Sequence, residues 1–390
     1  MKLIELHILQ SFPVSCLNRD DVGAPKTARF GGVTRARISS QCFKRAIRHK
    51  ARELNGERFQ GSRTKLVIEP LRDALIAEGI EEARALVLAK QLGDEMATFD
   101  EKAENDSQIL KVKTLMYLGT GEIAAVAKSA AALEKADEGN FPVVQEGKKK
   151  LSADDTKTLT KNLKGAITTG FDTQVLSDAA DIAIFGRMMA SHHSLTLEGA
   201  GMFSHALSTH SQSNEIDFWT AVDDAKEADE KSDDAGAGQL GVSEYASATF
   251  YRYIALNLDL LGDEAHLGKL DKDERKEVVR AFLQASLLAV PSARQNSMNA
   301  HTLPAFALGT YKSAGQPVQL VNAFERGVRD SADGYLEPSR TALQNHETSQ
   351  AALWGLNPQT RVEFGDHQNP EGDQPVNLEA FLDQLVAHVE

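Results

Sequence analysis

MKLIELHILQSFPVSCLNRDDVGAPKTARFGGVTRARISSQCFKRAIRHKAREL, residues 1–54, sets a strand, a long basic connection and an amphipathic helix in succession. In the strand, Ile4, Leu6 and Ile8 point one way while Leu3, Glu5, His7 and Leu9 point the other, the period-2 pattern of a partly exposed sheet. Residues 11–37 read as a long loop punctuated by Pro13, Pro25 and Gly31-Gly32. A loop of that length inside a compact domain is usually functional. The pattern then predicts a helix from about Ser40 to Leu54, with Ser39 or Ser40 as N-cap and no capping box. On that helix Phe43, Ile47, Ala51 and Leu54 share one arc, and Gln41, Lys44, Arg45, Arg48 and Arg52 share the opposite one. One face is built for a core; the other lines up four cations and an amide.

Cations one turn apart repel unless something negative lies over them. A phosphate backbone is the natural partner, and a plain solvated face is the alternative. The preceding loop adds Arg19, Lys26, Arg29, Arg35 and Arg37, and Phe30-Gly31-Gly32 permits close backbone approach to a ligand. The whole chain carries −13, yet residues 1–65 hold 14 Lys+Arg against 5 Asp+Glu, a net of +9. The other 325 residues hold 29 against 51, a net of −22. Screening confines each patch to roughly 10 Å at ordinary salt, so a basic face can bind phosphates on an acidic protein.

Working outward, 390 residues leave room for a main domain with large insertions. A content of 42% hydrophobic and 25% charged residues excludes wholesale disorder. No segment approaches the roughly 18 apolar residues of a membrane span. Glu5 and His7 spoil a signal-peptide reading, and the only cysteines, Cys16 and Cys42, lack metal-ligand spacing. The expectation is a cytoplasmic protein with no membrane partner. Pro142 is the only proline between residues 71 and 290. The segments 71–92, 121–138 and 155–168, rich in Ala, Leu, Lys and Glu, predict a helical insertion over 60–180. Strand character returns at Ile182–Met189, Met202–Thr209 and Thr249–Leu258. Between the last two, residues 215–244 carry ten acids against Lys226 and Lys231 and a Gly-rich run at Ala235–Gly241, which predicts a projecting, solvated excursion. An amphipathic helix follows over about 272–289, with Val278, Phe282, Ala285 and Leu288 on one face, and a last helix near 377–388. This order predicts an α+β fold with a ferredoxin-like core.

Catalytic signals are weak. The adjacent carboxylates of Asn18-Arg19-Asp20-Asp21 suit Mg²⁺ in principle, but such pairs more often make turn hydrogen bonds. His192-His193, His205 and His210 lack zinc spacing and read as ordinary polar packing. Gly199-Ala200-Gly201 is no dinucleotide fingerprint, and neither a P-loop nor a nucleophile elbow occurs. Phe250, Tyr251 and Tyr253 would stack on bases only if exposed; their period places them at least half in a core. The residues by themselves give an RNA- or single-stranded-DNA-binding α+β protein without visible catalytic machinery.

Ser15–Arg48, SCLNRDDVGAPKTARFGGVTRARISSQCFKRAIR, also closely resembles the opening of the CasC family, the backbone subunit of the type I-E CRISPR surveillance complex Cascade. FGRM (Phe185–Met188), HALSTH (His205–His210), DFWTAVDD (Asp217–Asp224) and TFYRYIALNL (Thr249–Leu258) match in the family's order. The resemblance implies an RRM-like palm over 1–59 and 181–350, helical fingers over 60–180, a thumb over 193–240 and a C-terminal extension over 351–390. It implies copies stacked along a CRISPR guide RNA in a hexameric backbone, each thumb kinking out one base at regular intervals. The guide would then pair with a target DNA strand, in company with a large subunit, a small subunit, CasD and CasE. By the family pattern Arg19, Lys26, Gln41, Lys44, Arg45 and Arg48 meet guide phosphates, and Met188 wedges at the kinked base; no catalytic residue, metal or cofactor is implied. A different class stays open: a metal-independent RNA-processing endonuclease on a similar fold, with His205 or His210 as general base.

Overall fold

The structure, a computed structural model, describes residues 1–144, 150–173, 176–189, 193–221, 239–332, 334–365 and 376–390. The strands among them are β1 (Leu3–Ser15), β2 (Thr27–Phe30), β3 (Val33–Ile38), β4 (Ser62–Thr64), β5 (Met116–Leu118), β6 (Gly201–Phe203), β7 (Ala206–Ser208), β8 (Glu215–Ala221), β9 (Gln239–Asn257), β10 (Phe306–Lys312) and β11 (Thr360–Gly365). The helices are α1 (Ser40–Leu54), α2 (Ile68–Ala77), α3 (Glu82–Ala97), α4 (Glu101–Ser107), α5 (Thr120–Ala136), α6 (Ala153–Thr173), α7 (Ala180–Phe185), α8 (Leu258–Leu261), α9 (Lys272–Leu288), α10 (Gln295–Met298), α11 (Leu336–Trp354) and α12 (Leu378–Val386). The fold is α+β, with two compact units.

The first unit takes Met1–Ala51, Met202–Asn257 and Val279–Val389. Its sheet runs β11-β10-β1-β9-β7-β3-β2, with β6 and β8 also paired to β9. The central run β10-β1-β9-β7 is antiparallel throughout, with α1 between β1 and β7 and α9 between β9 and β10 in sequence. That is the split βαββαβ order of a ferredoxin-like sheet. One face of β9 sends Arg252 over the ring of Phe43 on α1 at 4.1 Å, and its guanidinium donates to the Ser286 carbonyl on α9 at 2.6 Å. The other face packs Leu9, Tyr251, Tyr253, Leu308 and Phe324 against Leu343 of α11.

Covered on both faces, β1 is buried from Leu3 through Leu9, so it is not the partly exposed strand its Glu5 and His7 predict. Both polar side chains are satisfied internally. Glu5 pairs with Lys312 and accepts from Tyr253 OH at 2.6 Å and the Val318 amide at 2.8 Å. His7 Nδ1 shares a hydrogen bond of 2.9 Å with Tyr251 OH, which also accepts the Leu320 amide. Phe250, Tyr251 and Tyr253 are likewise buried, which removes them as base-stacking candidates.

About half of the loop expected over 11–37 is strand, and residues 16–26 keep the loop reading apart from an isolated bridge between Arg19 and Pro25. β1 continues to Ser15 past a register shift at Phe12/Ser15, where Pro13 cannot serve the ladder. β2 and β3 then form a hairpin in which Phe30 faces Val33 across Gly31-Gly32. Both glycines have positive φ, +60° and +78°, the requirement of a two-residue primed turn. A Cβ on Gly31 would collide with the Glu325 carbonyl, so the close approach this glycine permits is to the protein's own backbone.

β8 pairs with the first third of β9 from Glu215↔Tyr245 to Ala221↔Gln239, and every residue of β8 is exposed. Residues 215–221 and 239–245 thus form a two-stranded ribbon, while 222–238, with the acidic run Ala225–Gly238, lie outside the described residues. At the other sheet edge β11 pairs with β10, and α12 buries Phe381, Leu382 and Leu385.

The second unit holds Arg52–Gly201, Leu258–Val278 and Glu390. Its core is an alanine- and leucine-rich packing of α2, α3, α5 and α6, with Leu71, Leu88, Ala89, Ala130 and Ile167 wholly or almost wholly buried. The helix expected over 71–92 is broken at Gly79 (φ +83°), and Glu81 re-caps the chain by accepting the Arg84 amide. Ile182–Met189, expected as a strand, is instead the short helix α7 followed by Gly186 at φ +77°. All six residues of α7 are buried, Asp181 included, and the apolar run Ile182–Phe185 carries no periodicity to separate buried helix from buried strand.

Candidate nucleic-acid interface

Helix α1 forms over the residues its pattern predicts, with Phe43, Ile47 and Ala51 buried. Burial of Phe43 and Ile47 stabilises the helix by about 1.5–3 kcal/mol each. Leu54, assigned to the same arc, is exposed at the frayed end. Ser39 is the N-cap: its Oγ accepts the Cys42 amide at 3.3 Å. The next amide, Ser40 N–H, donates to His205 Nδ1 at 2.9 Å.

Two further elements converge on this helix start. The turn after β1 is tied to it through Asn18, whose Oδ1 accepts the Ser39 amide at 2.8 Å, and through Cys42 Sγ, which donates to the Leu17 carbonyl at 3.7 Å. Arg19 is exposed in this turn, and Asp20 Oδ1 caps it by accepting the amides of Val22 and Ala24. The carboxylate that suited a cation is thus committed to the loop. Lys26 follows, its carbonyl accepting the Arg37 amide at 2.8 Å. The field of these cations is felt at the helix start: burial first, then Arg37 and Lys26, lowers His205 below the ordinary imidazole range. Burial raises the Cys42 thiol, with Arg45 and Lys26 opposing.

Lys26, Arg37 and Arg45 therefore gather around the positive end of a 15-residue helix, a field that favours anions. Gln41 and Arg45 are exposed on its outer face, Lys44 lies over the Phe203 ring at 4.9 Å, and Arg48 is half-buried one turn on. Among the residues expected at an anionic backbone, Arg19, Lys26, Gln41, Lys44, Arg45 and Arg48 all belong to the first unit. Arg37, noted only as part of a basic loop, joins them because β3 pairs back onto Lys26.

Two expected cations serve the fold instead. Arg35 is 0% exposed and donates to the carbonyls of Phe30, Ser208 and Phe324, at 2.7 Å for the last. Arg52 donates to the carbonyls of Phe59 and Gly61. The histidines also resolve. His210 is buried, stacks on Tyr335 at 3.7 Å, sits with Nδ1 2.9 Å from the Ser211 carbonyl and accepts the Thr249 amide at Nε2. Neither of its nitrogens is open to a substrate. His205 has Nδ1 occupied by the helix cap. His192 lies outside the described residues.

Met188 belongs to the second unit and is 78% exposed, flanked by buried Arg187 and Met189. Its backbone is held rigidly: Arg187 exchanges both main-chain bonds with Leu197 at 2.8 Å, and the Met189 amide donates to Thr196 Oγ1. The Arg187 guanidinium is locked to Glu122 at 2.6 Å. Among the described residues Met188 is therefore not packed in a core, and an apolar side chain is displayed on a hydrogen-bonded backbone.

A family model described as CT1975-like protein matches residues 4–388, and the chain belongs to that family. Comparison with curated proteins gives no match. Among solved structures, a chain of a "CRISPR RNA-guided surveillance complex, pre-nicking" is 29% identical, with 100% of each chain covered and a TM-score of 0.74. A chain of a "CRISPR RNA-guided surveillance complex" is 24% identical over 99% of each chain with a TM-score of 0.67, a likeness of fold. No helix among the described residues is long and apolar enough to cross a membrane.

Proposed function

We propose that this protein is a non-catalytic, guide-RNA-binding backbone subunit of a CRISPR surveillance complex, of type I-E Cascade, in the cytoplasm. The observation that carries the reading is the convergence of Lys26, Arg37, Arg45 and the start of α1, whose opposite face is anchored by Phe43 and Ile47. Such a surface meets phosphates without reading bases, which suits a protein that leaves sequence recognition to guide–target pairing. Full-length similarity to a chain from a complex described as RNA-guided supports the same reading. Arg19, Gln41, Lys44 and Arg48 extend the phosphate track, and Met188 presses on a base lifted from the stack. Further copies of the chain continue the track along the guide, with the large and small subunits, CasD and CasE completing the assembly and target DNA pairing to the exposed guide bases.

The test is to isolate the protein from its host and sequence the RNA that accompanies it. Spacer-containing RNAs of uniform length are the expected result; a random sample of cellular RNA refutes the reading. Incubation with a repeat-containing transcript separates the endonuclease class: protection without cutting is expected, and specific cutting lost on His205→Ala would overturn the non-catalytic assignment.

A further inference from the structure

No aspartate or glutamate occurs between Glu277 and Glu325 in a chain that holds 56 of them. Helix α9 and strand β10 account for most of its buried residues; between them residues 292–299 are mainly exposed. They form the short helix α10, bracketed by Arg294 (φ +53°) and Asn299 (φ +39°), two of the four non-glycine residues with positive φ among the described residues. Backbone held this way persists only where the surroundings fix it. Here the Arg294 carbonyl accepts the Ser297 and Met298 amides and the Gln295 carbonyl accepts the Asn299 amide, and just beyond the turn Thr302 is tied to β1, its Oγ1 donating to the Ser11 carbonyl at 2.8 Å.

The segment adjoins the basic surface. Arg294 lies 5.9 Å from the ring centroid of Tyr245, whose neighbour Ala246 pairs with Ser15 at the end of β1. The Cys16 thiol that follows is raised by burial, with Arg294 and then Arg19 opposing. Arg294 and Arg19, from separate segments, thus both act on the chain at Cys16. Beyond Arg294 stand the side-chain amides of Gln295, Asn296 and Asn299, which make no hydrogen bond among the described residues.

We propose that the turn Arg294–Asn299 is a second contact on the guide strand, one that tells RNA from DNA, with Arg294 on a phosphate and the amides of Gln295 and Asn296 on ribose 2′-hydroxyls. The inference rests on the RNA-binding reading above and adds its chemical selectivity. A 2′-hydroxyl both donates and accepts, and a primary amide matches it with one group of each kind, whereas Lys or Arg only donates. A protein-docking surface would instead show a large apolar or aromatic anchor at its centre; within the turn the only large apolar side chain, Met298, is half-buried, and exposed Leu303 lies outside it.

The experiment compares binding of the full-length protein to oligouridine and to oligodeoxyuridine of equal length, which differ only at the 2′ position. Gln295→Ala/Asn296→Ala should weaken RNA binding about fivefold for each hydrogen bond lost, leave DNA binding unchanged, and leave the thermal midpoint in place because both residues are exposed. Arg294→Ala should weaken both strands equally and lower the salt slope by about one phosphate contact. Equal loss on both strands from the amide variant, or no loss on either, overturns the proposal. So does unchanged RNA affinity with failure of further copies to add along long RNA, which would make the turn a protein contact. If wild-type binding to oligouridine is insensitive to Lys44→Ala/Arg45→Ala, the phosphate track fails, while the RNA-to-DNA ratio still reports on the turn.

Discussion

Removing two cations from the outer face of α1, in Lys44→Ala/Arg45→Ala, should change the salt dependence of RNA binding more than anything else about the protein. Each phosphate neutralised on a single strand contributes about 0.7 to the slope of log K against log salt, so two lost contacts should flatten the slope by about 1.4. Between about 50 and 200 mM salt the wild type should therefore lose about sevenfold more affinity than the variant. The cost in stability is small. Arg45 is exposed, and Lys44 gives up a cation–π contact with Phe203 at 4.9 Å, worth about 0.5–1 kcal/mol. Phe43 and Ile47 keep the helix docked. Fluorescence anisotropy on oligouridine across a salt series measures the slope, and circular dichroism checks the fold. Parallel salt plots for wild type and variant would refute the phosphate assignment, and a collapsed spectrum would refute the separation of the two helix faces.

Met188→Ala should shift stability by less than about 0.5 kcal/mol, as expected of an exposed side chain, while chemical probing of the assembled complex loses its regular pattern of hyper-reactive bases. A sharp pattern in the variant places the wedge elsewhere. Arg35→Met leaves carbonyls of Phe30, Ser208 and Phe324 without their charged donor and should cost about 3–5 kcal/mol, read as a lowered urea midpoint; a loss under about 1 kcal/mol contradicts the buried role. Burial holds the His7 imidazole down at about 4, against an ordinary 6.5 retained in the unfolded chain. The unfolded state therefore binds the proton first, so this contribution is complete above pH 6.5 and falls away as pH drops towards 4, by at most about 3 kcal/mol. Urea midpoints at pH 7 and 4.5 should converge in His7→Gln; equal acid sensitivity in variant and wild type would refute it.

Helix α1 was legible because its evidence is local. Phe43, Ile47 and Ala51 recur at helical spacing, the cations fall between them, and Ser39 stands where a cap must stand; no distant residue is needed to read this. The ferredoxin-like order was legible for a related reason, since β1, α1, β9, α9 and β10 each carry their own periodicity or apolar run. Periodicity fails where both faces are buried, as in α7. It also misleads where a polar residue is buried with a partner far along the chain, as Glu5 is with Lys312. The β2–β3 hairpin did carry a sequence signal, the glycine pair between two short β-prone runs, which a loop reading passed over.

For the interface, the sequence by itself determined that the first 65 residues carry excess positive charge and that one helix presents part of it on a single face. It did not determine which cations reach solvent. Arg35 and Arg37 are two residues apart on one strand and look interchangeable in sequence, yet strand alternation puts both on the same side, and only their surroundings separate them. Arg35 is wholly buried against the carbonyls of Ser208 and Phe324, brought there by pairings across 173 and 289 residues, whereas Arg37, half-buried beside Lys26, gives only its Nε to the Thr27 carbonyl. Whether a guanidinium meets a ligand or the protein's own backbone depends on which carbonyls the sheet carries to it, and that is a property of long-range register, which only the tertiary structure sets.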